Sequence, residues 1–223
     1  MTQEKLQEMY QPAELNPELQ DYYIVQNGIP MIKHPLVFSI FHTDIQNYII
    51  NKHFEWKKTE AEKAFREKKW SKYIFLHERP YRLEAFDDIF VHLRPKQYWQ
   101  ILGEIWIDSE NIWQNLSQWR FFLTEGPKRD QEYFMSPEDR KEFKKLPEKF
   151  KVYRGYIPGQ NKGGFSYTLS KEKAEWFANR FGRNGKVVER TVNKDDVFAY
   201  LNGRNEQEII ILNDLYARLT NYK

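Results

Sequence analysis

Two glutamates one residue apart, Glu206 and Glu208, stand directly before the apolar run Ile209-Ile210-Ile211-Leu212. Upstream, Arg154 sits in the strand-like segment Val152-Tyr153-Arg154-Gly155-Tyr156, and between the two lies Gly164-Phe165-Ser166-Tyr167-Thr168. Side chains two apart on a strand share a face, so Glu206 and Glu208 are expected side by side, with Cα atoms about 6.5–7 Å apart. Carboxylates so paired can divide labour: one stabilises positive charge developing on a sugar ring, and the other orients or deprotonates an attacking group. Alone, Glu-x-Glu is a weak signal, satisfied as well by two acids facing solvent. The same period of two puts the Ser166 and Thr168 hydroxyls on one face, where they can hold a ribose or orient a carboxylate. Phe165, Tyr167 and Leu169 then pack on the other face, a pattern that any half-buried strand shares. Arg154 is more telling, because a guanidinium in an apolar strand needs a partner and forms its best pairs with carboxylates or phosphates. Gly155 beside it would let a ligand approach the backbone closely.

The elements that must position these residues follow from turn and cap signals. From 146 onward, strands are expected near 151–157, 165–169, 186–192, 197–201 and 208–212. A helix capped by Ser170 carries Ala174, Trp176, Phe177 and Phe181 and stops at Gly182. The first 145 residues read as mostly helical. One or two helical turns are expected within 2–10. A hairpin is expected near 22–33, turning on Asn27-Gly28, with Pro30 and Pro35 marking an edge. The apolar run 36–41 reads equally as strand or buried coil. Helices follow from Thr43 to about Trp70, over 81–92 and 96–107, from Asp108-Ser109 to Gly126, and from Ser136-Pro137 to Leu146. The mixed-sign charges from Lys57 to Lys69 read as a solvated helix face with near-neighbour ion pairs. The Trp and Tyr residues between 98 and 122 read as core in preference to a base-stacking platform. The division expected is 1–145 and 146–223, packed together in an α+β fold.

Composition narrows the function classes. The chain has 223 residues, 35 Lys and Arg against 32 Asp and Glu, and no cysteine, which excludes disulfides, thiolate metal sites and a cysteine nucleophile. A net charge of +3 permits a nucleic-acid partner without requiring one. The apolar runs fall short of the roughly 20 residues of a membrane helix, and Met1 to Lys5 lacks a secretory apolar region; a soluble, cytoplasmic protein is expected. His34, His42, His53, His77 and His92 form no metal-binding helix pair and read as structural. No Gly-x-x-x-x-Gly-Lys phosphate loop is present.

The series Tyr153-Arg154-Gly155, Gly164-Phe165-Ser166-Tyr167-Thr168, Ala174-x-x-Phe177 and Glu206-x-Glu208 resembles the arginine-serine-glutamate class of NAD-dependent mono-ADP-ribosyltransferases. The resemblance covers about the last 70 residues. It implies a mostly helical N-terminal region on a small split β-sheet core, with NAD as ADP-ribose donor and no metal. Arg154 would grip an NAD phosphate and the Gly155 backbone would meet the nicotinamide amide. Ser166, with Thr168, would order the nicotinamide ribose site. Glu208 would bond the ribose 2′-hydroxyl and stabilise the oxocarbenium-like transition state, Glu206 would activate the acceptor, and the turn 202–205 would help select it. The middle residue of the serine motif is Tyr167 where the family has threonine. The Arg154 to Ser166 interval is short, which implies a compact version whose missing helices are supplied by the N-terminal region. The expected activity is that of a toxin or phage-type effector modifying a macromolecule, protein arginine ahead of a nucleic-acid base; control by an antitoxin or other inhibitor is left open by the sequence. The alternatives are a non-catalytic partner-binding module on a degenerate fold and an NAD glycohydrolase.

Overall fold

The computed structural model describes residues 13–110, 112–161, 163–182 and 184–212; the turns expected within 2–10 lie outside the described residues. The fold is α+β with two antiparallel sheets, of three and five strands. The chain divides into two compact units, Met1–His92 and Leu93–Lys223. The boundary therefore falls at 92/93, whereas the change of sequence pattern suggests 145/146. Within 93–145, Trp106 bonds Glu208 and the helix Pro137–Lys145 packs on the strand Ala199–Leu201, contacts that local pattern does not report.

In the first unit, helix α1 (Pro17–Gln20) leads into strands β1 (Tyr23–Gln26), β2 (Ile29–His34) and β3 (Val37–Ile40), paired in that order. Asn27 and Gly28 turn the hairpin with φ of 53° and 77°, the left-handed pair that a two-residue turn needs. The run that sequence leaves between strand and coil is β3, so β2 is the central strand and the edges are β1 and β3. Pro30 sits near the start of β2, where its carbonyl accepts from the His42 N–H at 2.9 Å. Helix α2 (Asn47–Arg66) ends earlier than the charge pattern suggests, because Lys68 turns left-handed (φ 55°) before α3 (Trp70–Leu76) begins. Helix α4 (Arg82–Asp87) completes the unit. Its core joins Leu19, Ile32, Ile50, Phe54 and Leu76. The charged face of α2 is laced by ion pairs, but Lys57 and Lys58 reach Glu78 and Glu18 on other elements, each at 2.6 Å, and not near neighbours on the helix. The histidines have structural work: His77 Nδ1 meets the Tyr73 carbonyl at 2.8 Å, and His92 stacks on Trp70.

The second unit opens with helices α5 (Pro95–Asp108), α6 (Leu116–Glu125) and α7 (Pro137–Lys145). Ser136 caps α7 by accepting from the Asp139 N–H at 3.0 Å. Then come β4 (Lys149–Tyr156), β5 (Ser166–Thr168), α8 (Lys171–Asn179), β6 (Lys186–Asn193), β7 (Ala199–Leu201) and β8 (Glu208–Ile210). The sheet order is β6-β4-β5-β8-β7, antiparallel throughout. Ser170 caps α8, as its sequence indicates. Tyr98, Trp99, Trp106, Trp119 and Phe122 are all buried, so most of the aromatic load of 98–122 is core. No described helix is long and apolar enough to cross a membrane.

Candidate active site

Strands β4 and β5 share a single register position, Tyr153 opposite Thr168. Thr168 in turn faces Glu208 on β8, which faces Leu201 on β7, so one row of side chains crosses the sheet and delivers Glu208 beside β5. Past Tyr153, β4 continues to Tyr156 against β6 alone. The gap this leaves beside β5 holds the candidate site.

The Arg154 guanidinium spans that gap. Its Nη1 donates to the Ser166 carbonyl and its Nη2 to the Asn161 carbonyl at 2.9 Å, while Asn161 Oδ1 accepts from the Ile157 N–H at 2.8 Å. These bonds order the 157–161 connection and hold the guanidinium plane. Gly164 makes the position possible: a Cβ there would lie 2.1 Å from Arg154 Nη2. Gly164→Ala therefore displaces the guanidinium and weakens its hydrogen bonds to the Ser166 and Asn161 carbonyls, at a cost of about 1–3 kcal/mol in stability. Thermal denaturation of the variant, with a lowered midpoint expected, checks this.

Glu208 is buried, with 9% of its surface exposed. Its Oε2 accepts from the Trp106 indole N–H at 3.2 Å, and the Ser166 hydroxyl donates to the same carboxylate. Burial pushes its proton affinity above the ordinary carboxylate range, and the charge of Glu206 adds to that. The Ser166 and Trp106 hydrogen bonds and the Arg204 cation pull in the opposite direction. Ser166 thus has the carboxylate-orienting role open to it in the sequence. Thr168 shares its face but is committed to the backbone: its hydroxyl donates to the Glu206 carbonyl at 2.6 Å and accepts from the Ser170 N–H at 3.1 Å. It is 5% exposed, and its hydroxyl is engaged on both sides, which ties β5 to the turn at Glu206.

Glu206 is not on the strand. Asn205 and Gln207 are left-handed, with φ of 55° and 48°, so the period-two argument fails and Glu206 occupies the turn before β8. That turn is held from three sides. Asn202 Oδ1 accepts from the Gln207 N–H at 3.1 Å, Asp139 Oδ1 accepts from the Asn202 N–H at 3.0 Å, and Arg204 Nη2 donates to the Ser109 carbonyl at 2.8 Å, beside the C-terminus of α5. A loop expected only to select an acceptor is therefore a built support for Glu206.

Gly155 carries a second constraint. A Cβ there would meet the Ala174 carbonyl oxygen at 2.1 Å and the Ala178 nitrogen at 2.6 Å, so its smallness admits α8, while its backbone borders the cavity. The close packing of α8 on β4 turns Phe177 into the same cavity that Gly155 borders.

Arg154, Gly155, Ser166, Thr168, Glu206 and Glu208 all line one cavity of about 260 Å³. That is slightly below the roughly 300–1,000 Å³ of sites that enclose a drug-sized ligand. Glu110, Ile112 and Trp113 complete its wall. The sequence singles out none of these three as site residues: where a helix is expected from Asp108-Ser109, the chain forms a 3-10 turn at Ile112–Asn115, which leaves Trp113 42% exposed. The segment belongs to the region expected to supply parts absent from the short Arg154 to Ser166 interval. Comparison with protein-family models, with curated proteins and with solved structures finds no match for this chain.

Proposed function

We propose that the protein is a mono-ADP-ribosyltransferase that moves ADP-ribose from NAD to a macromolecule, with protein arginine as the favoured acceptor. The observation that supports this most is the meeting of Arg154, Ser166 and Glu208 in one cavity, with Glu206 on its wall. In this reading Arg154 binds a phosphate of NAD, and Phe177 and Trp113 offer aromatic surface to the rings. Glu208, oriented by Ser166, bonds the ribose 2′-hydroxyl and opposes the positive charge that grows at C1′ as the C1′–N bond to nicotinamide breaks. The bond electrons leave with nicotinamide. A nitrogen of the acceptor forms the new bond to C1′, and its proton passes through Glu206 to solvent. The adenylate end of NAD extends beyond the cavity.

Three carboxylates on the wall, from Glu110, Glu206 and Glu208, favour a cationic acceptor over the phosphate-bearing strand of a nucleic acid. Adenylate-labelled NAD incubated with the protein and a cell lysate tests the reading. Label removed by protease and not by nuclease is expected; nuclease-sensitive label identifies a base as acceptor, and free ADP-ribose alone identifies a glycohydrolase. Glu206→Gln lowers label transfer by about 100-fold or more, the usual weight of a positioned general base, while nicotinamide release continues. Equal loss of both would remove Glu206 from the acceptor step.

A further inference from the structure

We infer that Trp106 is a positioning residue for Glu208, its indole N–H holding the carboxylate in the geometry that nicotinamide departure requires. The inference rests on the transferase reading above and assigns it a residue that lies outside the Arg-Ser-Glu series, 102 positions away in sequence. Trp106 is fully buried on α5. Its ring packs edge-on against Trp119 at 4.8 Å between centroids and against Phe134 at 6.1 Å. The indole thus cannot swing, and its N–H is a fixed donor aimed at Oε2 from 3.2 Å. Ser166 supplies the second donor from β5. Two donors on different elements set the carboxylate plane, whereas either alone would leave it free to rotate about Cγ–Cδ.

The same turn and helix tie this pair together. Arg204 donates to the Trp106 carbonyl at 3.3 Å, so the loop that carries Glu206 also grips the turn of helix that carries the indole. The charged and titratable groups facing Glu208 are Glu206 and Arg204 from the turn, with Glu110, Arg154 and Tyr153 on the same cavity wall. Burial already pushes Glu208 toward its protonated form, and the Trp106 bond is one of the interactions that oppose this. Removing the N–H costs the ionised carboxylate a charge-assisted bond and leaves the neutral form less affected.

The test follows the Glu208 side-chain carboxyl by carbon NMR across pH, the signal being assigned by its absence in Glu208→Gln, together with the pH profile of NAD consumption. In Trp106→Phe the Glu208 midpoint moves to higher pH, and the ratio of kcat at pH 8 to kcat at pH 5.5 rises by about tenfold, one charged hydrogen bond's worth. Replacing the Trp106 indole by its benzothiophene isostere, which keeps the ring and deletes the N–H, gives the same result without a packing defect. Trp119→Phe, a loss of ring area in the same cluster, leaves the midpoint in place. An unmoved midpoint with the isostere, or an equal shift in Trp119→Phe, overturns the inference and makes Trp106 a core residue only. Wild-type protein that consumes no NAD overturns the transferase reading together with the catalytic part of this inference, whereas an unmoved midpoint in an active enzyme overturns the inference alone.

Discussion

Glu208→Gln lowers NAD consumption by about 100-fold or more, because it removes a charge that acts only as the transition state forms, worth a few kcal/mol. The amide keeps the shape of the carboxyl and can still accept from Trp106, so the fold survives. It is also more stable than wild type at neutral and alkaline pH. Burial raises the carboxyl's pKa in the folded state above its ordinary 4.5. Stability from the neutral form is therefore fully present below the unfolded value and is lost as pH rises through the folded one. Substitution by a neutral amide removes that loss. The Tm advantage of Glu208→Gln is thus absent near pH 4, grows as pH rises through the folded pKa, and is constant above it. Thermal denaturation of both proteins from pH 4 to 8 measures this, and a gain in stability coupled to a loss in rate is the mark of a group kept for chemistry. Activity of the wild type follows the same group, with its acidic limb above the ordinary glutamate range.

Arg154→Lys lowers kcat/KM for NAD by about 100-fold. The guanidinium is a planar fork that reaches two carbonyls at once, Ser166 and Asn161, across strands that share one register position. An ammonium is a point donor on a longer flexible stem and cannot hold both while presenting a charge to a phosphate. The substitution keeps the charge and loses the geometry, so the fall lies mainly in KM. Loss of the two carbonyl bonds also destabilises the fold by about 1–3 kcal/mol, read as a lower denaturation midpoint. Full activity with lysine would show that charge alone suffices and would remove the bidentate role.

Local chemistry made much of this legible in sequence. Asn27-Gly28 names its turn, Ser136-Pro137 and Ser170 name their helix starts, and Ser166 to Thr168 alternates faces as period two requires. The residue types of the Arg-Ser-Glu series were legible too, and the cavity gathers them. What escaped depends on backbone detail or on distance along the chain. The left-handed φ of Gln207 takes Glu206 off the strand, and no pattern of alternation reports a single such residue. The constraint on Gly155 comes from α8, and the occupation of the Thr168 hydroxyl comes from the turn at Glu206. Trp106 read as one more helical core aromatic, because its N–H partner lies on the last described strand. The unit boundary at 92/93 accompanies the same long-range links, with α7 packed on β7 and the α5 residue Trp106 bonded to Glu208 on β8.

Release of nicotinamide from ring-labelled NAD, with wild type and Glu208→Gln side by side in cell lysate at pH 7.5, tests the central claim most directly. Steady release by the wild type and a rate about 100-fold lower in a folded Glu208→Gln protein is the predicted result. Wild-type protein that neither binds nor consumes NAD in several lysates, or a Glu208→Gln protein that releases nicotinamide at the wild-type rate, would contradict it.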